Sequence, residues 1–196
     1  MRIFLAGATG VIGSRLVPLL VADGHEVLGM TRSSAKSGAL EAQGATALVA
    51  DVYDADGLVS AVTAFRPDIV LHELTDLPDS AAQLGDFRPA NARIRIEGTR
   101  NLLRAASAAG TDRVIAQSIA WTLPPGEGAD AVAELERTVL GFSDGSVVLR
   151  YGQFYGEGTF YPDALPDGPR VQIDTAARRT MEALRGPGGI RTIVDR

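Results

Sequence analysis

The sequence has no cysteine, two histidines and a single lysine among its 196 residues. Without cysteine, disulfide bonds and thiolate metal ligands are excluded. The two histidines, His25 and His72, are too few for a dedicated zinc site, so we expect no metal. The formal net charge of -5 gives no electrostatic basis for binding nucleic acid or an acidic membrane surface, and we expect neither partner.

Long apolar runs are also missing from the sequence. No stretch approaches the roughly 20 apolar residues that a membrane-spanning helix needs. The first apolar run, Ile3–Ala6, is only long enough for a strand, and Arg15 interrupts the segment that follows, which is not typical of a secretory signal. These absences lead us to expect a cytoplasmic protein.

Short apolar runs alternate with amphipathic stretches along the whole chain. This alternation predicts an α/β fold, a Rossmann-type doubly wound parallel sheet with helices on both faces. We expect an NAD(P)-binding domain at 1–150 and a reduced substrate-binding region at 151–196, packed on the same domain. The predicted strands are 3–6, 26–32, 45–52, 68–71, 113–117, 146–150 and 190–194, and the predicted helices are 10–22, 39–43, 54–65, 91–109, 131–140 and 173–184.

Three glycines separate the first predicted strand from the first predicted helix. Gly7 lets the chain turn sharply, Gly10 lets a diphosphate approach the backbone, and Gly13 lets the helix pack closely on the strand. The free N–H groups and positive end of the helix suit phosphates. An ordinary glycine turn is the alternative, because 22 residues are glycine. We expect cofactor contacts from Gly7, Thr9, Gly10, Val11, Ile12 and Gly13.

A basic segment closes the second predicted strand, where an NAD-binding protein usually carries Asp or Glu for the ribose hydroxyls. Arg32, Ser33 and Lys36 offer a guanidinium, a hydroxyl and an ammonium, and such groups suit a ribose 2′-phosphate. The alternative is a solvated basic loop. We therefore expect the cofactor to be NADP rather than NAD.

Asp51 and Val52 follow the third predicted strand. The carboxylate of Asp51 can accept a hydrogen bond from the adenine amino group, with Val52 under the ring. An Asp that caps a turn at the strand end is an equal alternative.

Taken together, the motifs resemble the extended and atypical short-chain dehydrogenase/reductases, which include the NAD-dependent epimerase/dehydratase group. The resemblance covers nearly the whole chain and is unspecific for substrate. It implies that Ser118 is the catalytic serine that hydrogen-bonds the reacting oxygen, and that Tyr155 lies beside the nicotinamide. The matching segments are Gly7–Gly13, Asp51–Val52, Asn91, Glu97–Leu103, Val114–Ser118 and Leu149–Gly156.

One departure from that family is as informative as the resemblance. Members that perform redox chemistry carry Tyr-x-x-x-Lys in the helix after the fifth strand, and this pair relays a proton. Alignment on Glu136 and Arg137 puts Gly128 and Val132 at those two positions, and Lys36 is the only lysine. Either another group supplies the acid, or the protein performs no hydride chemistry.

The substitutes for that acid are few. The loop after the sixth strand offers three tyrosines, and the segment after the fourth strand offers a histidine and two acids. The alternatives are structural, because strand-end histidines and core tyrosines are commonly hydrogen-bonded and inert. Ser118 can likewise be a strand-end residue whose hydroxyl group hydrogen-bonds the backbone of a turn. The catalytic candidates are Ser118, Tyr151, Tyr155 and His72, and the other acids are Tyr161, Glu73 and Asp76.

These patterns support a leading hypothesis and two alternatives. The leading one is an NADP(H)-dependent oxidoreductase or epimerase-like enzyme that acts on a small carbonyl or hydroxy metabolite. One alternative is a non-redox isomerase, lyase or cyclase that uses the same crevice, which we expect at the carboxyl ends of the strands. The other is an NADP-sensing regulatory binding protein.

The resemblance also implies a homodimer through helices 91–109 and 131–140. On this hypothesis Leu102, Leu135 and Val139 are exposed and form part of the interface. The alternative is that the three side chains face the sheet.

Overall fold

The computed structural model describes residues 1–78 and 80–195, and a parallel sheet lies at its centre. Its seven strands are β1 (Arg2–Ala6), β2 (Glu26–Thr31), β3 (Thr46–Val49), β4 (Ile69–His72), β5 (Val114–Ile119), β6 (Val147–Tyr151) and β9 (Gly189–Ile193). Their order across the sheet is β3-β2-β1-β4-β5-β6-β9. Two short parallel strands, β7 (Gln153–Tyr155) and β8 (Arg170–Gln172), form a second sheet.

Helices cover both faces of the large sheet. They are α1 (Gly13–Ala22), α2 (Ser37–Ala42), α3 (Ala55–Phe65), α4 (Arg88–Arg93), α5 (Thr99–Ala109), α6 (Glu127–Leu140) and α7 (Ile173–Ala183). A π-helical turn, Ile94–Gly98, joins α4 to α5, and short 3₁₀ turns occupy Ser34–Lys36 and Ala81–Gln83. The predicted Rossmann-type α/β fold is confirmed. No helix in the described part of the chain combines the length and the apolarity that crossing a membrane requires.

Alternating side chains of the strands separate two apolar layers. Ile3 and Leu5 pack toward α1 and α7, whereas Phe4 and Ala6 pack toward α3, α5 and α6. A parallel sheet that is buried on both faces reads as a continuous apolar run, and RIFLA of β1 has that character.

The strand order reverses between β1 and β4, because β2 and β3 lie on one side of β1 and β4, β5 and β6 lie on the other. In open sheets of this kind, ligands bind at the carboxyl ends of the strands near this reversal. The glycine turn between β1 and α1 lies at that point.

Several boundaries differ from the sequence prediction, among them those of α6, of β3 and of the loop 151–170. Helix α6 begins at Glu127 rather than 131, since Gly126 adopts a positive φ of 138° and two acids occupy the first turn. Strand β3 has only four residues and lies at the edge of the sheet, where it pairs with β2 on one side. The predicted loop 151–170 contains β7, which is ordered by its pairing with β8.

The residues expected to form a dimer interface are buried. Leu102, Leu135 and Val139 belong to the apolar layer under the sheet, so their assignment to an interface was wrong. The exposed faces of α5 and α6 carry ion pairs instead, with Glu134 held by Arg100 at 2.8 Å and by Arg137 at 2.7 Å. Helical periodicity alone does not show whether an apolar stripe packs on the sheet of its own chain or on a second copy.

Candidate functional site

The turn between β1 and α1 is too tight for side chains. Gly7 adopts a φ of +90°, and a Cβ atom there would lie 2.7 Å from the carbonyl oxygen of Glu73. A Cβ atom on Gly13 would overlap the carbonyl oxygen of Gly7. The N–H of Gly10 donates to that same oxygen at 3.0 Å and closes the turn. The glycine spacing therefore has a steric cause in this chain.

The start of α1 offers unpaired backbone donors. Ile12 caps the helix without a side-chain hydrogen bond, and no acid lies in the first turn. Within the described residues, the N–H groups of Val11 and Ile12 have no backbone acceptor. Free N–H groups at the positive end of a helix bind phosphate. The free N–H groups of this turn, at the start of α1, therefore fit the diphosphate of a dinucleotide.

Hydroxyl groups hold the end of β2 against the glycine turn. The Oγ1 atoms of Thr9 and Thr31 are 2.9 Å apart, and the N–H of Ser33 donates to Oγ1 of Thr31 at 3.2 Å. These bonds fix the position of the basic segment relative to the phosphate turn.

Arg32 is exposed and is paired with a carboxylate. Its Nη2 lies 3.1 Å from Oδ1 of Asp76, whose own N–H donates to Oδ1 of Asn91 at 3.1 Å. Lys36 is exposed on the 3₁₀ turn, and Ser33 is partly buried. A ribose 2′-phosphate at this position would compete with Asp76 for the guanidinium.

Asp51 and Val52 have local structural roles. Oδ1 of Asp51 accepts from the N–H of Tyr53 at 3.0 Å, which is the turn-capping arrangement. The side chain of Val52 is buried in the layer under the sheet, and its carbonyl accepts from Nδ2 of Asn101 at 2.9 Å. Both residues follow the carboxyl end of β3, with the Asp51 side chain engaged in the turn.

Ser118 is buried at the end of β5 and donates to Oε1 of Glu136 on α6 at 2.6 Å. Arg150 at the end of β6 binds the same carboxylate through Nε at 2.9 Å and through Nη2 at 2.5 Å. Burial opposes ionisation of Glu136, but the hydrogen bonds from Arg150 and Ser118 outweigh it and lower its pKa. The serine hydroxyl is thus hydrogen-bonded to the ion pair of Glu136 and Arg150.

Tyr151 is buried on the α7 side of the sheet. Its hydroxyl lies 2.6 Å from Oγ1 of Thr180 and donates to Oε1 of Glu73 at 3.2 Å. Burial raises the pKa of Tyr151 well above its ordinary value, and it raises the pKa of Glu73 to about 8 although the bond from Tyr151 acts against this. The other Glu73 oxygen, Oε2, has no hydrogen-bond partner among the described residues. Glu73 is therefore protonated at neutral pH.

The sheet separates two of the expected catalytic residues. Ser118 points to α6, whereas Tyr151 points to α7 on the opposite face. In parallel β5 and β6, Ser118 pairs with Arg150 and Ile119 pairs with Tyr151, so the two side chains alternate in direction. The geometry does not bring both hydroxyl groups to one substrate atom.

His72 ends β4 with both ring nitrogens engaged. Nδ1 accepts from the N–H of Leu74 at 3.3 Å, and Nε2 lies 2.9 Å from Oγ1 of Thr99. Burial and the positive charge of Arg95 lower the pKa of His72 to about 4. The imidazole is therefore neutral and fixes the strand end to α5.

Two further tyrosines lie beyond β6. Tyr155 on β7 is partly buried, and its hydrogen bond with the carboxylate of Asp195 raises its pKa. The hydroxyl of Tyr161 donates to Oε1 of Gln153 at 3.4 Å.

Sequence reasoning missed the partners of Ser118. A buried Glu136 and a half-exposed Arg150 form an ion pair at the carboxyl ends of the strands, and one signal was available. Glu136 lies between two buried apolar residues of α6, Leu135 and Val139, where a carboxylate needs a cation.

Residues 3–138 match the sequence model of the NAD dependent epimerase/dehydratase family. The chain is similar to a 3-diazoavenalumate denitrifying reductase from a Streptomyces species, with 41% identity over 189 residues that cover 82% of this chain and 59% of that protein. It is also 33% identical over 120 residues to a UDP-glucose 4-epimerase from Mycolicibacterium smegmatis, covering 59% of this chain and 37% of the epimerase. The chain thus spans less than two thirds of either relative.

Solved structures share the fold. A UDP-glucose 4-epimerase from Thermotoga maritima, solved with UDP-glucose, superposes with a TM-score of 0.81 at 19% identity, covering 99% of this chain and 77% of that one. A UDP-glucose 4-epimerase from Thermus thermophilus in complex with NAD gives a TM-score of 0.80 at 21% identity, with 99% and 78% covered.

Proposed function

The chain belongs to the NAD dependent epimerase/dehydratase family, and from this premise we propose that it is an NAD(P)H-dependent reductase. Its substrate is a small electrophile that accepts hydride without a proton from the enzyme. The turn Gly7–Gly13 and the N–H groups of Val11 and Ile12 hold the diphosphate. When bound, the reduced nicotinamide supplies the hydride.

The observation that carries this proposal is the composition of α6. The helix after β5 reads EGADAVAELERTVL and contains neither tyrosine nor lysine. Reduction of a carbonyl adds hydride to carbon and a proton to oxygen, so an acid must stand at that oxygen. A chain that keeps the phosphate turn and lacks the relay suits a reduction that consumes no proton.

Reduction of a diazonium group meets that condition. The cation R–N₂⁺ and a hydride give R–H and N₂. One C–N bond breaks, one C–H bond forms, and the charges cancel without an external proton. The name of the Streptomyces relative describes the reduction of a diazo compound with loss of nitrogen. We therefore propose a diazo compound as the substrate class.

A small carbonyl or hydroxy metabolite is the second candidate. It is favoured by Tyr155, which lies partly buried on β7, although its hydroxyl group must exchange its bond with Asp195 for one to the substrate to replace the missing relay. We assign positioning roles to Ser118, His72 and Tyr151, since their polar atoms are already bonded within the protein.

The test uses the purified chain with NADPH or NADH that carries deuterium at the transferred position. One acceptor is an ortho-diazophenol with a carboxylate side chain, and the other is the matching aromatic aldehyde. We expect equal amounts of oxidised cofactor and N₂, and deuterium on the ring carbon. The Gly13→Ala variant, whose cradle cannot form, is the control for uncatalysed reduction. Turnover of the aldehyde alone would favour the second candidate, and no turnover of either would contradict a reductase.

Cofactor preference forms a separate proposal, in which Arg32, Ser33 and Lys36 bind a 2′-phosphate and favour NADP over NAD. We expect Arg32→Ala to weaken NADPH binding about tenfold, because a charge-assisted bond is lost. Asp76→Asn should tighten NADPH binding and leave NADH unchanged, because the competitor for the guanidinium is neutral. Titration calorimetry at fixed ionic strength measures both, and tighter binding of NADH than NADPH by the native chain would contradict the preference.

We also propose a homodimer through the exposed faces of α5 and α6, where Arg100, Glu134 and Arg137 lie. Light scattering at micromolar concentration should then give twice the monomer mass. A monomer mass would remove the proposal.

A further inference from the structure

One of the arginines in the helical run from α4 to α5 is partly buried, and the others are exposed. Its five arginines are Arg88, Arg93, Arg95, Arg100 and Arg104. Three exposed ones have carboxylate partners, with Arg93 at 2.7 Å from Glu97, Arg100 at 2.8 Å from Glu134 and Arg104 at 2.8 Å from Asp56. Arg88 is exposed to water.

Arg95 is partly buried, and no carboxylate among the described residues 1–78 and 80–195 pairs with it. Burial alone lowers its pKa below the usual value. A charge removed from water is costly unless a partner compensates it. Three exposed arginines of this run have carboxylate partners, whereas the partly buried one has none within the described part of the chain, which is the reverse of what stability by itself would favour.

The position of Arg95 is next to the carboxyl end of β4. Its charge reaches His72 and lowers the pKa of that histidine, and its carbonyl oxygen accepts from Oγ1 of Thr99. His72 is neutral and supplies no counter-charge. Glu73, the next residue, contacts Gly7 through its backbone, so this end of β4 adjoins the phosphate turn.

The local backbone gives a second, independent observation. Arg95 lies within the π-helical turn Ile94–Gly98. Such turns are less stable than regular helix and recur at functional sites, where they redirect side chains. Here the turn interrupts a helix at the level of the strand ends.

We propose that Arg95 is an anion-binding residue of the crevice, whose guanidinium pairs with an oxyanion of a bound ligand. The oxyanion is either the diphosphate of the dinucleotide or a carboxylate of the substrate, since a guanidinium forms the same forked bonds with both. The inference rests on the proposed function insofar as it takes the crevice as the ligand site.

The test compares Arg95→Met with Arg93→Met, which removes a charge from the same helical run on its exposed side. Calorimetry uses four probes separately, namely NADPH, inorganic pyrophosphate, 4-hydroxycinnamate and its uncharged amide. If the diphosphate is the partner, Arg95→Met weakens NADPH and pyrophosphate about tenfold or more. If a carboxylate is the partner, only 4-hydroxycinnamate weakens, and the amide does not change. Arg93→Met changes none of them.

Unfolding supplies a readout that is independent of binding. Removing a partly buried charge that has no protein partner should raise the Tm of Arg95→Met by about 2–4 °C without ligand. A lower Tm would show that the protein itself compensates the charge, and would overturn the inference. So would binding of every probe within twofold of the native chain. Failure of the native chain to bind NADPH, with Arg95-dependent binding of pyrophosphate, would instead contradict the proposed function alone.

Discussion

At the residue scale, the crevice contains ionisable side chains that folding keeps neutral. Burial raises the pKa of Glu73 to about 8 and lowers that of His72 to about 4. The folded chain therefore binds a proton at Glu73 that the unfolded chain releases near pH 4.5, and stability falls as pH rises from about 4.5 through 8. The contribution of the neutral His72 to stability is fully present above about pH 6.5 and is lost as pH falls toward 4.

Glu73→Gln tests the alkaline half of that description. Glutamine keeps the size and cannot ionise. The free energy of unfolding of the variant, relative to that of the native chain, should therefore rise by at least about 1 kcal/mol between pH 5.5 and pH 8.5. Urea unfolding at both pH values measures the difference. Glu127→Gln, an exposed control on α6, should show no such gain. Parallel curves for Glu73→Gln and the native chain would contradict a buried protonated carboxyl group.

The residues of the glycine turn could be predicted from sequence because the constraint is local. Gly7 and Gly13 have no room for a Cβ atom, and their spacing alone indicates this. The partner of Ser118 could not be predicted in the same way. It depends on how α6 is rotated over the sheet, and that rotation is set by packing between distant segments.

At the element scale, α3 shows how one side chain starts a helix. Oδ1 of Asp54 accepts from the N–H of Gly57 at 3.1 Å, which satisfies one of the free donors of the first turn. The helix ends at Arg66 in the left-handed conformation, with a φ of 52°.

Asp54→Ala should therefore lower the stability by about 1 kcal/mol, or the Tm by about 2–4 °C. Asp56→Ala is the matched control, because Asp56 lies in the same turn and makes only a surface pair with Arg104. We expect a smaller loss for the control, under about 0.5 kcal/mol. Equal losses in thermal unfolding would show that charge near the helix end matters rather than the cap.

The order and type of the main elements could be read from the sequence, since strand and helix periodicities are strong in this chain. The short β7 could not be predicted, because it exists through its pairing with β8, fifteen residues further on. The π-helical turn was likewise missed, since the apolar pattern continues through it. These elements depend on tertiary contacts more than on local preference.

At the scale of the whole molecule, the fold assembles one crevice from distant parts of the chain. The phosphate turn lies where the strand order reverses, and the ends of β4, β5 and β6 lie along the same carboxyl edge of the sheet. The same sheet separates Ser118 from Tyr151, so the hydrogen-bond networks of the two residues lie on opposite faces of the sheet. The proposed cofactor cradle is therefore combined with a helix α6 that contains neither tyrosine nor lysine.

Calorimetric titration with NADPH and NADH, on the native chain and on Gly13→Ala, tests the central claim most directly. The native chain should bind at least one dinucleotide with a Kd in the micromolar range, and Gly13→Ala should lose that heat, because its Cβ atom overlaps the Gly7 carbonyl. Gly10→Ala, which meets only one atom at 3.3 Å, should keep part of the affinity. No heat with either dinucleotide, or equal heat from the native chain and a folded Gly13→Ala, would contradict the account.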